Sequence, residues 1–193
     1  MTDAIVARRN ILRTCFLVSG AGLFKASLEA QTAAAAGIKP ADLPSTDVEG
    51  HAQLCRELSV PVIVGEFLFS LYDYPEYIRR EAADTLRFVV DNVGGITPGV
   101  KIGILAECHG MEVMPHGVEN VLHQAAHLHC ELATPNSAFV EVPYPQGARD
   151  AQPYMKDLIR ISPDGCVHAP SKPGLGYEID RAALDRAITQ IER

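Results

Sequence analysis

VVDNVGGITPGVKI, residues 89–102, is the stretch that decides the fold. The apolar run TLRFVV (85–90) stops at Asp91-Asn92, glycines follow at 94 and 95, and apolar positions then recur at helical spacing. A buried strand that ends on a carboxylate, turns on glycine and enters a helix is one unit of a parallel sheet with helical crossovers.

The same rhythm runs outward in both directions. Upstream, residues 48–59 read as a helix opened by the acid Asp47, and PVIVGEF (61–67) is a short β-branched run, hence a buried strand. YPEYIRREAA (74–83) reads as a helix before the strand 85–90. Downstream, residues 97–110 form a helix with Pro98 near its first turn and Gly110 at its end. MEVMPH (111–116) reads as a strand, residues 119–133 as a helix and SAFVEV (137–142) as a strand. The period then breaks until a terminal helix over 180–192.

Strand-helix units at this spacing imply a parallel α/β sheet. The predicted strands end on Glu66, Asp91, His116 and Glu141, each 25 residues after the last. In parallel α/β sheets the carboxyl ends of the strands face the ligand. A single polar residue at a strand end is an ordinary turn former. Four in register, all Asp, Glu or His, point to a catalytic rim.

Composition narrows the classes of function. The chain has 193 residues, enough for one sizeable core, and 47 % of them are hydrophobic, too many for a disordered chain. Its 17 basic residues and net charge of −7 provide no basic patch beyond the N-terminus, which argues against nucleic acid as a partner. No apolar run reaches the roughly 18 residues of a membrane span. Five cysteines (15, 55, 108, 130, 166) lack a C-x-x-C pair, which argues against a thiolate zinc site. They read mostly as small buried apolar residues, with a Cys108–Cys130 pairing open if the chain is exported.

The N-terminal order, ARRNILRTCFLVSGAGLF (7–24), is basic, then weakly apolar, then alanine-rich. It resembles a bacterial twin-arginine export signal carried by Arg8 and Arg9, with a small-residue cleavage site at Ala33–Ala36. The expected division is a signal over 1–36, a linker over 37–47, a half-barrel over 48–149, and a tail with its helix over 150–193. The expected location is periplasmic or exported, and cytoplasmic if the segment is not a signal.

The ordered strings GEF (65–67), DNVGGITPGVKIGILAECHGMEVMPHG (91–117) and AHLHCELATPNSAFVEV (126–142) resemble the enolase superfamily, in the mandelate racemase and muconate lactonizing enzyme branch. The resemblance covers residues 47 to about 142, and PGLGYEID (173–180) is similar to the tail of these proteins. It implies a partial (β/α) TIM-type barrel of about four parallel βα units, the second half of an eight-fold barrel. It further implies that Glu66 is a Mg2+ ligand, that His116 is an acid or base oriented by Asp91, and that Glu141 bonds the substrate carboxylate. The implied reaction removes the proton α to the carboxylate of a 2-hydroxy or sugar acid, through an enediolate, as in racemases and acid-sugar dehydratases. The capping domain, the lysine base and two further metal carboxylates of that family have no counterpart in this sequence. One carboxylate in place of three implies weak Mg2+ binding. An inactive, truncated barrel fragment is therefore the alternative expectation, and open barrel edges imply self-association.

The resemblance also sets the helix carrying His123, His127 and His129 outside the barrel. His123 and His127 stand four apart, at metal-competent spacing, but Gln124 follows His123 where a zincin has Glu, so no metal site is expected there. Met111 and Met114 are core candidates, and Tyr72, Tyr74 and Tyr77 are expected to pack, with Tyr72 within reach of a ligand near Glu66.

Overall fold

The computed structural model describes residues 43–117, 121–142, 154, 156 and 159–187. Arg8, Arg9 and the whole expected export signal lie outside these residues, as does most of the linker. Helix α1 (Val48–Glu57) is followed by strand β1 (Ile63–Val64), α2 (Tyr74–Arg79), β2 (Thr85–Leu86), α3 (Ile96–Cys108), β3 (Glu112–Val113) and α4 (Val121–Leu132). Helix α5 (Arg181–Ala187) lies in the tail.

The strands form one parallel sheet in the order β1-β2-β3. Ile63 pairs with Thr85 and Thr85 with Glu112; Val64 pairs with Leu86 and Leu86 with Val113. Backbone bonds carry the ladder further: Arg87 N–H donates to the Val64 carbonyl at 2.7 Å, Met114 to Leu86 at 2.9 Å and His116 to Phe88 at 2.8 Å. One face of this sheet is the core. Leu86, Phe88 and Val90 alternate along β2 and its extension, all buried, and pack with Tyr74, Tyr77 and Ile102 from the helices. Arg87 and Val89 point to the other face by the same alternation, the face that carries the cleft described below.

Local signals account for the ends of the elements. Asp47 caps α1, its Oδ1 accepting from Gly50 N–H at 2.9 Å. Gly95, with φ 113°, provides the left-handed turn into α3 that the glycine pair predicts. At the far end of α3, Gly110 adopts φ 66°, with Gly110 N–H donating to Glu107 and Met111 N–H to Ala106 at 2.8 and 2.9 Å. This is the Schellman termination. Helix α2 stops earlier than the expected residue 83 because Glu81 takes φ 55° and Ala82 N–H folds back to the Tyr77 carbonyl at 2.8 Å. Gly99 and Gly103 of α3 let α4 approach closely: a Cβ there would stand 3.0 Å from Cys130 Sγ and 2.4 Å from Thr134 Cγ2, respectively.

The expected fourth strand is not formed. Residues 137–142 have no strand geometry, and Val113 N–H to the Asn136 carbonyl, 3.1 Å, is the backbone bond that links the neighbouring turn to β3. Asn136 is instead spent on the turn, its amide donating to the carbonyls of Gly103 and Met111 at 3.1 and 2.8 Å. Phe139 and Val140 are both exposed, so the alternation that a half-buried strand needs is missing.

Other expectations shift for similar reasons. Tyr74 and Tyr77 are buried, but Tyr72 is 82 % exposed and does not pack. Cys108 and Cys130 are free and unlinked: Cys108 is exposed near the end of α3, whereas Cys130 is buried, its thiol donating to the Ile96 carbonyl at 3.6 Å. Burial and the nearby Glu131 push the Cys130 thiol up to about 12, which keeps it protonated and unreactive. In the tail, Asp180 caps α5, its Oδ1 accepting from Ala183 N–H at 3.0 Å. His129 Nε2 lies 3.2 Å from the Leu175 carbonyl, tying the tail to α4. No helix among the described residues is long and apolar enough to cross a membrane.

Candidate active site

A cleft of about 310 Å³ opens at the carboxyl ends of the strands, lined by Glu66, Phe67, Val89, Asp91, Asn92, His116 and His123. The sequence spacing anticipates this rim, and Glu66, Asp91 and His116 all reach it. Glu141 joins from the irregular segment rather than from a strand. Its Oε2 lies 2.6 Å from His116 Nδ1 and 3.4 Å from Gly117 N, whose N–H it accepts.

His116 therefore has a carboxylate at each ring nitrogen, since Glu66 Oε1 stands 3.2 Å from Nε2. Arg87 completes the cluster. Its Nη2 donates to Glu141 Oε2 at 2.5 Å and also contacts His116 Nδ1, and its Nε is 3.5 Å from Glu66 Oε2. At 3.5 Å the Glu66 contact is an ion pair rather than a hydrogen bond, which agrees with Arg87 Nε having no hydrogen-bond acceptor among the described residues. Burial pushes the Glu141 carboxyl up, but the bond and charge of Arg87, with His116, outweigh it and hold the group below its ordinary range.

Asp91 does not join His116 in the expected pair. Its Oδ2 lies 3.0 Å from Nδ1 of His123, on α4. The register gives the reason. Leu86 pairs with Val113, so three residues on, Val89 stands beside His116. Val89 has the position from which a side chain could reach His116, whereas Asp91 lies beyond the sheet, 61 % exposed.

Helix α4 lies on the helix-covered face of the sheet, with His127 stacked on Phe88 at 6.4 Å between ring centroids, but its histidines are not idle. His123 is buried, lines the cleft and stacks on His127 with ring centroids 4.6 Å apart and planes 4° from parallel. His127 Nε2 accepts the Val90 N–H at 3.1 Å, so the neutral ring carries its proton on Nδ1. Burial, then the charges of His123, His116 and Arg87, push His127 down to about 3. The Asp91 carboxylate can only accept, so His123 holds a proton on Nδ1. Asp91→Asn is expected to relax that preference, read from the imidazole nitrogen shifts of His123 by NMR. Because Asp91 is largely exposed, stability should change by less than about 1 kcal/mol. An unprotonated Nδ1 in the wild type would contradict the assignment.

Sequence reasoning missed Arg87 and His123. Arg87 had a signal: it is the one charged residue inside the apolar run TLRFVV. His123 had only its spacing from His127, which by itself does not say which way the helix faces.

Mg2+ does not fit the described residues. Glu66, the ligand implied by resemblance, is turned to a guanidinium and an imidazole. Among the described residues no group of three His, Cys, Asp or Glu side chains is disposed to hold an ion. A hard dication needs several oxygen ligands and is repelled by a cation already placed between them.

Comparison with known proteins identifies the family of the chain. Residues 40–183 match the family described as Enolase C-terminal domain-like. The 3,6-anhydro-alpha-L-galactonate cycloisomerase of Streptomyces coelicolor is 28 % identical over 191 residues, covering 95 % of this chain and 50 % of that protein. The L-talarate/galactarate dehydratase of Salmonella typhimurium is 32 % identical over 149 residues, 77 % of this chain and 34 % of that protein. The solved structure of a mandelate racemase/muconate lactonizing enzyme from a Sulfitobacter species superimposes with a TM-score of 0.65 at 31 % identity, over 75 % of this chain and 35 % of that one. This chain thus spans half or less of the length of these relatives.

Proposed function

Because the chain belongs to the Enolase C-terminal domain-like family, we propose that it provides the acid–base rim of a barrel acting at the carbon α to the carboxylate of a small sugar or 2-hydroxy acid. The relatives support the substrate class: they include a 3,6-anhydro-alpha-L-galactonate cycloisomerase, an L-talarate/galactarate dehydratase and a D-galactonate dehydratase. The observation that carries the reading is the convergence of Glu66, His116 and Glu141, with His116 held between the two carboxylates. Glu141 fixes the ring through Nδ1. Nε2 lies on the side of Glu66, which lines the cleft, and is the atom placed to take or return the α-proton.

The test is exchange of the α-proton for deuterium in a panel of sugar acids, followed by NMR. His116→Gln should slow exchange by roughly 100-fold or more. If wild type and variant exchange no faster than buffer, the catalytic reading fails. A second reading then takes over: a non-catalytic barrel portion whose acids are committed to Arg87. The contacts that Arg87 makes with Glu141 and His116 favour it.

Export rests on Arg8 and Arg9, and periplasmic fractionation of the wild type against Arg8→Lys/Arg9→Lys would test it. Self-association rests on the exposed Phe67, which lines the cleft, and on Phe69 and Tyr72 a few residues further along the chain, at 63, 65 and 82 % exposure. A monomer in sedimentation velocity at micromolar concentration would remove it.

A further inference from the structure

We infer that Phe67 determines which acid the cleft takes. Its ring is a platform for the C–H face of a polyhydroxy chain, so the site selects a sugar acid over a short 2-hydroxy acid. This rests on the reading of the cleft as a site for such acids, and adds the side chain that sorts them.

Three observations carry it. Single exposed apolar side chains are ordinary, but Phe67 supplies the one phenyl ring among the described residues lining the cleft, and the ring stands 63 % exposed beside Glu66, Asp91, Asn92 and His116. Next, the ring is held out rather than left loose. The Gly65 carbonyl accepts the Leu68 N–H at 3.0 Å, which closes a turn with Glu66 and Phe67 at its corners, and Leu68 is buried in the core. The Tyr74 hydroxyl donates to the same Gly65 carbonyl at 3.1 Å, and the Asn92 amide donates to the Glu66 carbonyl at 3.3 Å. The turn that presents Glu66 to His116 therefore presents Phe67 to the cleft as well. Last, the chemistry matches. A polyol chain has hydroxyl edges, and C–H bonds that the neighbouring oxygens leave positive. The face of a phenyl ring is the negative side of its quadrupole, so it attracts those C–H bonds, and covering it also takes apolar surface out of water. The chain of a sugar acid runs on past its α-carbon and can lie on the ring. Glycolate has no carbon beyond the α position with which to do so.

The experiment is titration of the full chain with two six-carbon aldonates, D-gluconate and D-galactonate, and with glycolate, each followed by the ligand's own proton NMR signals. Phe67→Ala and Phe67→Leu should weaken the better-bound aldonate by roughly three- to ten-fold and leave glycolate unchanged. Phe67→Tyr, which keeps the ring face, should bind as the wild type does. Phe69→Ala is the control: Phe69 is equally exposed two residues on, is not among the described residues lining the cleft, and should change nothing. In the wild type the C–H protons of the bound aldonate should move upfield, as protons over a ring face do, and in Phe67→Leu they should not. Equal weakening of aldonate and glycolate, or no weakening of either, would overturn the proposal. So would a wild type that binds neither aldonate better than glycolate. Should the Ala and Leu variants not fold, absence of the upfield shift in the wild type refutes the platform by itself, and its presence supports it. Failure of α-proton exchange with these binding differences intact would remove the catalytic reading and leave this one standing.

Discussion

Stability of the chain is expected to plateau between about pH 4.5 and pH 6.5 and to fall on both sides, because two groups in α4 are buried in their neutral forms. His127 has its ordinary value of 6.5 pushed down to about 3, chiefly by burial. Below 6.5 the unfolded chain therefore binds a proton that the folded chain refuses, and stability drops by about 1.4 kcal/mol per pH unit on the acid side. Glu131 behaves in the opposite sense. Burial, then the charge of Glu141, raises it from 4.5 to about 8, and its Oε2 has no hydrogen-bond partner among the described residues. The stability it contributes is full below 4.5 and is lost as pH rises toward 8, again by about 1.4 kcal/mol per unit. Between 4.5 and 6.5 the two slopes cancel, so this pair produces a flat top. Urea unfolding from about pH 3.5 to about pH 8.5 checks this. Glu131→Gln should flatten the alkaline limb, adding on the order of 3 kcal/mol near pH 7. His127→Gln should flatten the acid limb while its amide oxygen replaces the acceptor for Val90. A wild-type curve that keeps rising through pH 8, with Glu131→Gln parallel to it, would contradict the assignment.

Gly65→Ala should be the most damaging single methyl in the sheet. Gly65 holds φ 127°, a conformation that side chains rarely adopt. A Cβ there would lie 2.0 Å from the Arg87 carbonyl oxygen and 2.9 Å from Tyr74 Cε1. Neither can move cheaply. The Tyr74 hydroxyl donates to the carbonyls of both Gly65 and Arg87 at 3.1 Å, so it clamps the end of β1 to β2, and its ring is fully buried. Strain and overpacking together should cost about 3 kcal/mol or more. For a chain of this size that lowers the melting temperature by roughly 6–12 °C. Because Glu66 is the next residue, the displaced strand end should also pull its carboxylate away from His116 and Arg87. Calorimetric melting gives the first effect and the His116 ring shifts the second. A variant melting within a degree or two of wild type would show that β1 and β2 have slack that the contact distances deny.

Much of the rim was legible before any coordinates. Glu66 and His116 stand where strand-end logic puts them because a parallel sheet delivers every carboxyl end to one side. Helix α3, with glycine at both ends and Pro98 near its start, was readable to within about two residues, since those residues have backbone preferences independent of their surroundings. The pairing of Asp91 was not readable in the same way. A position two residues past a strand can face any neighbour, and only the register shows that Val89, not Asp91, stands beside His116. SAFVEV (137–142) had the composition of a strand but lacks a partner ladder, because Asn136 is taken up in binding the Gly103 and Met111 carbonyls.

What the amino-acid order by itself determined is therefore the class of architecture and the cast of the rim: parallel βα units, their glycine turns, and acids and a histidine at the strand ends. These follow from local rules, from periodicity and φ preference, which act within a few residues. Tertiary structure alone decided who touches whom. It turned Asp91 to His123, stacked His123 on His127 and drove Arg87 between Glu66 and Glu141. The physical reason is that charges in a shared cleft choose partners by distance across strands and helices, and that distance is set by packing between segments far apart in the chain.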